Sequence, residues 1–250
     1  RDSGIAVYAM NTFVTAALLP STIDDIGGNQ YFAWVTTTFM VASVLASMLV
    51  ARTLAAMGAA RAYLTAFLLF AAGSLAAALT PTMELLLAAR VLQGLGGGLL
   101  AGLGYAVIRD ALPEHLWTRA TGLVSAMWGV GTLLGPTTGG FFAQIGFWRG
   151  AFWLLAAVAV VLGVLSTRAL PRGSSESDDF GKLPATSLVM LVLAATAFSI
   201  AAIVPVGGPT AVALAAGAAL VGGFILVDSR ASSPVLPHIT YQPVSYTHLT

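Results

Sequence analysis

Charge is rare along this chain, and its spacing defines the elements. Seven stretches carry no charged residue: Ser3–Ile23, Ile26–Ala51, Ala62–Met83, Val91–Ile108, Ala120–Trp148, Gly150–Thr167 and Leu183–Val227. A helix that crosses a bilayer needs about 20 mostly apolar residues, and the first six runs each suit one crossing. The two runs of 18 residues are short but serviceable when flanking side chains snorkel. The last run is 45 residues long, too long for a single span, and Pro205-Val-Gly-Gly-Pro209 places a turn near its middle. The pattern predicts an all-α integral membrane protein of eight spans: six helices, then two more.

Lysine and arginine orient those spans. With the N-terminus on the cytoplasmic side, Arg1, Arg52, Arg61, Arg109, Arg119, Arg168, Arg172, Lys182 and Arg230 fall inside, and only Arg149 falls outside. Cytoplasmic loops concentrate positive charge, so this orientation is predicted and its reverse rejected. Both ends of the chain are then cytoplasmic, in a multi-pass protein of the plasma membrane.

Composition agrees. Charged residues make up 8% of the chain and hydrophobic ones 58%, with a mean hydropathy of +0.89. A soluble domain of this size would carry far more charge. A net charge of +1 leaves no electrostatic footprint for nucleic acid. With no cysteine there is neither a disulfide framework nor a thiolate metal site, and His115, His238 and His248 match no ligand spacing. No metal or cofactor is predicted. Nor is enzymatic chemistry, because HExxH, P-loop and GxSxG patterns are all missing and no carboxylate lies well within a span.

Residues 1–170 read as a six-helix bundle, 171–183 as a polar cytoplasmic linker, 184–227 as two further helices and 228–250 as a cytoplasmic tail. The chain starts with arginine rather than methionine and has no signal-peptide pattern, which predicts that it begins inside its gene product. Pro243–Thr250 differs in character from the rest. Two readings stay open for it: a frameshift or cloning scar, or an ordinary loop cut short.

Within the fifth run, Gly131, Gly135 and Gly139 recur every four residues, with Pro136 and Gly140 beside them. Glycines so spaced share one face and let another helix approach closely, while the proline predicts a kink that neighbours repair. Gly94, Gly98 and Gly102 repeat the spacing in the fourth helix. Arg90 lies six positions past Glu84, roughly 9 Å into that helix. An arginine there costs at least ~2.5 kcal/mol to insert, so it faces water or the bundle interior as a relay or solute contact, or else snorkels to the interface. Gln93 follows one turn on. Asn11 in the first helix suits either solute binding or, more in keeping with a lone amide, a bond to another helix. Thr36, Thr37, Thr38, Ser43 and Ser47 either line a polar path or bond back to the preceding turn, the reading we favour. Trp34, Trp117, Trp148 and Trp153 fall near predicted interfaces, and Trp128 is deeper, placed for core packing or for stacking on a flat solute.

These segments together resemble the major facilitator superfamily, and most closely its fourteen-helix drug:proton antiporters. Gly131–Gly140 matches the GPxxGG pattern of helix five. Leu86–Gly94 is similar to the helix-four pattern, with Arg90, Gln93 and Gly94 in place. Ala17–Pro20, Asp25, Trp34-Val35, Trp148-Arg149 and Pro234–Pro237 are supporting matches. The chain also departs from the pattern. Ala55 stands where the helix 2–3 loop usually has aspartate, which leaves Gly58 and Arg61 as a weakened inner-loop latch. Asn11 stands where helix one often has aspartate, and an amide cannot carry a proton. Leu155 and Ala157 replace an Asn-x-Pro after the Trp-Arg pair.

The resemblance implies export of hydrophobic or amphipathic compounds by alternating access, driven by protons. Arg90, Asn11 and Gln93 would serve coupling or solute contact; Gly131, Gly135, Pro136, Gly139, Gly140, Gly94 and Gly98 would serve gating and packing. The implied partners are lipid, a small solute, protons and a six-helix C-terminal half beyond this chain. A facilitator of one specific metabolite, or a membrane sensor or scaffold of the same fold, are the alternatives.

Overall fold

A computed structural model describes residues 3–111, 116–169, 185–201, 204 and 207–230. The described residues are helical, with no strand among them. In chain order they form α1 (Ser3–Ile26), a short 3-10 turn (Asn29–Tyr31), α2 (Phe32–Met48), α3 (Val50–Leu79), α4 (Met83–Ala111), α5 (Trp117–Gln144), α6 (Trp148–Ala169), α7 (Ala185–Ala201) and α8 (Gly208–Ser229). The chain divides into two compact units, Arg1–Asp178 and Asp179–Thr250. The predicted linker 171–183 and the tail beyond Arg230 lie outside the described residues, as do His115, His238 and His248.

All eight predicted spans are present as helices. Among the described residues, length and apolarity alone qualify six stretches for crossing a membrane: α1, Asn29–Met48, α3, Met83–Ala106, Trp148–Arg168 and α8. The Gly- and Thr-rich α5 and the 17-residue α7 do not meet both criteria.

Glycine fixes how the first unit packs. In lipid the hydrophobic effect gives helices no reason to associate, so close van der Waals approach must do so. A Cβ at Gly131 would lie 2.5 Å from the Ala9 Cβ, at Gly135 2.5 Å from the Phe13 Cβ, and at Gly139 2.7 Å from the Ala17 Cβ. The α5 glycine face is therefore filled by α1. The α4 face is filled by α2 and, at its far end, by the first residue of α3: a Cβ at Gly94 would meet the Ala42 Cβ at 2.8 Å, at Gly98 it would run into the Ser43 backbone, and at Gly102 it would meet the Val50 Cγ2 at 2.5 Å. Gly96 and Gly73 bring α3 equally close to the other side of α4. Phe39, Phe67, Phe70, Leu100, Leu103, Phe152 and Leu155 fill the core between these seams.

One local expectation is corrected. α5 is one helix from Trp117 to Gln144 with Pro136 inside it. The non-helical residue within a helix is Gly58 in α3, at φ 73° and ψ 165°, a conformation open essentially to glycine alone. The inner loop predicted across Arg52–Arg61 is accordingly helix on both sides of one glycine break, as its alanines, leucine and methionine favour. Arg61 is exposed just past that break.

In the second unit α7 and α8 pack on each other. The Phe198 ring sits over Gly217, 2.9 Å from where a Cβ would stand, and the Met190 Cε sits at 2.5 Å from the equivalent point on Gly223. Phe224 and Asp228 on α8 are buried.

Candidate functional site

Arg90 is 1% exposed and heads the fully buried side chains. Its Nε donates to the Val35 carbonyl at 3.2 Å, and its Nη1 donates to Asn11 Oδ1 at 3.2 Å and to Gln93 Oε1 at 2.6 Å. Its guanidinium carbon stands 4.2 Å from the centroid of the Phe39 ring. Gln93 then donates through Nε2 to Ser74 Oγ at 2.8 Å, and the Ser74 hydroxyl donates to the Phe70 carbonyl. One network thus joins α4 to α1, α2 and α3. The sequence permits it locally. Arg90 and Gln93 are three apart and share a helix face. Gly73 lets α3 come against the Gln93 backbone, which puts the next residue, Ser74, within reach of the amide.

Arg90 therefore turns inward and does not snorkel. Asn11 bonds across to another helix, as a lone amide should. Among the described residues every acceptor around the guanidinium is neutral, and no carboxylate touches it. Asn11 Nδ2 and Thr15 Oγ1, one turn apart on α1, are buried without a protein hydrogen-bond partner.

Next to this network Tyr8 links three helices. Its ring lies 5.4 Å from Phe39 on α2 and edge-on at 5.8 Å to Trp128 on α5. Its hydroxyl is 3.2 Å from Ser43 Oγ and 3.6 Å from the Met40 sulfur. Tyr8, Met40 and Trp128 are only partly buried, so this aromatic corner is open on one side. Four of the five hydroxyls singled out in the second helix bond back to the preceding turn, as predicted. Thr37, Thr38, Ser43 and Ser47 each donate to a carbonyl three or four residues back.

Of the residues assigned to gating and packing, Gly131, Gly135, Gly139, Gly94 and Gly98 all lie in the seams. Gly140 does not: a Cβ there would meet nothing within 4 Å, because it lies a further 100° around the helix from Gly139. Among the described residues no cluster of metal-ligating side chains occurs.

The Major Facilitator Superfamily profile matches residues 3–227. The chain belongs to that superfamily. Members of that superfamily are multi-pass membrane transporters, and the family is not a class of enzymes. This facilitator is 46% identical over 255 residues to a probable multidrug-efflux transporter of Mycobacterium tuberculosis, an alignment spanning 99% of the chain and 54% of the relative. It is 31% identical over 180 residues to multidrug resistance protein 3 of Bacillus subtilis, spanning 72% of the chain and 34% of the relative. It is 26% identical over 157 residues to a multidrug efflux pump of Staphylococcus aureus, spanning 63% of the chain and 35% of the relative. The chain spans about half the length of the M. tuberculosis relative and about a third of the other two.

The facilitator has a second polar cluster that sequence reasoning missed. At the end of the bundle where α1 and α3 finish and α6 begins, Asp25 Oδ2 accepts from the Trp148 indole N–H at 3.1 Å and from Arg149 Nη1. Arg149 Nη2 donates to the Thr80 carbonyl at 3.0 Å, and the guanidinium lies 4.3 Å from the Trp148 ring centroid. A cavity of about 360 Å³ opens beside it, lined by Ser21, Asp24, Asp25, Phe147, Trp148 and Arg149, among others. Asp25 and Trp148-Arg149 are each legible as motif pieces. Their opposite charges at one predicted end were the available signal for the pairing.

Proposed function

We propose that this facilitator exports hydrophobic or amphipathic compounds across the plasma membrane, driven by protons, as part of a fourteen-helix transporter. The observation that carries this reading is the 46% identity, along nearly the whole chain, to a probable multidrug-efflux transporter. The geometry supports it. The half-open corner of Tyr8, Met40 and Trp128 offers flat, polarisable, weakly polar surface, which suits varied apolar solutes better than one hydrogen-bonded metabolite.

In this reading a second helical bundle completes the solute path, and the two bundles rock against each other. The tight α1–α5 and α2–α4 seams keep each of these helix pairs together as the bundle moves. Among the described residues no carboxylate lies within the span interiors of the first six helices. In this reading the proton carrier is a group outside the first six helices, with Arg90 as a fixed positive charge within them. The nine-to-one arginine and lysine bias supports an orientation with both ends of the chain cytoplasmic.

Dye efflux from cells expressing the full-length gene tests the reading. Efflux should collapse on adding an uncoupler and with Arg90→Ala in protein that still inserts. Residues 1–250 expressed alone should give no efflux. Efflux that ignores an uncoupler would remove the proton from the mechanism. The absence of native cysteine makes single-cysteine labelling clean, and a cysteine near Ser174 should label only after the membrane is breached.

A further inference from the structure

The six helices of the first unit fall into two packed sets. α1 and α5 join through Gly131, Gly135 and Gly139; α2, α3 and α6 gather on α4 and on one another through Gly94, Gly98, Gly96, Gly73 and Gly163. Among the described residues, polar ties cross between the sets at three places. Arg90 to Asn11, and Tyr8 to Ser43 and Met40, lie in the interior. The third, Asp25 with Trp148 and Arg149, lies at the end.

We propose that Asp25, Trp148 and Arg149 form a clasp that holds the end of the α1–α5 pair against α6 and α3, and that it parts when that end of the bundle opens. The proposal rests on the transport reading only for the statement that this end opens. Arg149 is suited to the task by its planar fork. One nitrogen takes the carboxylate at the end of α1 and the other takes the Thr80 carbonyl that caps α3, while the ring of Trp148 carries the guanidinium face. Trp148 is itself fixed, buried edge-on against Phe152 at 6.1 Å. The pair is breakable because it is wet. The Arg149 and Asp25 side chains are 31% and 49% exposed, so water can replace each bond as it opens. Arg149 is also the lone cation that the charge bias places outside, against the usual rule. A contact that spans three helices gives its retention a physical reason.

The test uses spin labels at Leu79→Cys on α3 and Ile145→Cys after α5, both exposed, in the full chain in lipid nanodiscs, read as a distance distribution. The parent should give one main population. Arg149→Gln and Asp25→Asn should each shift weight to a longer distance. Trp148→Phe, which removes the indole N–H and keeps a smaller aromatic ring beneath the guanidinium, should shift less, and Asp24→Asn should shift nothing. Should Arg149→Gln fail to insert, Arg149→Lys decides. It keeps the charge but cannot fork, so a shift supports the clasp and an unchanged distribution overturns it. Unchanged distances in both Arg149→Gln and Asp25→Asn would also overturn it, as would an Asp24→Asn shift equal to that of Asp25→Asn. No solute is moved in this measurement, so its failure would leave the export reading standing.

Discussion

Arg90 and Arg149 make the same three kinds of contact in opposite surroundings. Each lays its guanidinium on an aromatic ring, at 4.2 Å and 4.3 Å, each takes a main-chain carbonyl from a neighbouring helix, and each reaches a side-chain oxygen on α1. Arg149 is partly in water and meets a carboxylate. Arg90 is enclosed and meets only amide and carbonyl oxygens. Burial is the difference that matters. In a low-dielectric interior each hydrogen bond to a charge is strong and each lost one is expensive. In water the same bonds are exchanged for solvent at little cost. One arginine is fastened permanently; the other can let go.

The comparison can be broken most severely at Arg90. Arg90→Ala leaves the Val35, Asn11 and Gln93 oxygens buried without their donor and should cost about 3 kcal/mol or more. Thermal unfolding in detergent would register this as a large drop, with Arg90→Lys recovering part. A variant as stable as the parent would show that the interior network does not hold the bundle. Next comes the seam that lets the network form. Gly98→Val drives a side chain into the Ser43 backbone and should cost about 1–3 kcal/mol by the same measurement.

Asn11→Asp sharpens the comparison from the other side. It gives Arg90 the carboxylate that Arg149 already has and removes the unpartnered Nδ2 donor. Since the Arg90 charge is already buried, its cost is already met, and stability should rise by about 1 kcal/mol. An Asn11→Asp chain that unfolds earlier would mean that the neutral acceptors suit this arginine better than a charge. Smallest of all, Arg149→Gln should leave the unfolding temperature where it was while altering the spin-label distances. Gly140→Ala should change neither, since space is open around it.

Much of the site was legible before any coordinates. Charge-free length predicts the helices. Four-residue spacing predicts that Gly131, Gly135 and Gly139 share a face, and depth predicts that Arg90 needs company. Spacing specifies a face and not its occupant, so the pairing of α5 with α1 and of α4 with α2 was out of reach. The Val35 carbonyl was invisible for another reason: a main-chain acceptor has no residue type to betray it. Gln93 with Ser74 depends on how closely Gly73 lets α3 approach, which is a matter of packing alone. Gly58 was read as part of a loop because the charges on either side, Arg52 and Arg61, resemble loop ends.

By itself, then, the sequence determined that this polypeptide belongs in lipid, how many helices it makes, and which positions are too small or too polar to face hydrocarbon. Those are one-dimensional properties, set by side-chain transfer energies and the helical repeat. Only the tertiary structure decided which helix fills which glycine face, which oxygens surround Arg90, and that Asp25 and Arg149 meet across 124 residues. Those depend on distances between helices, which the alternation of apolar and polar residues does not encode.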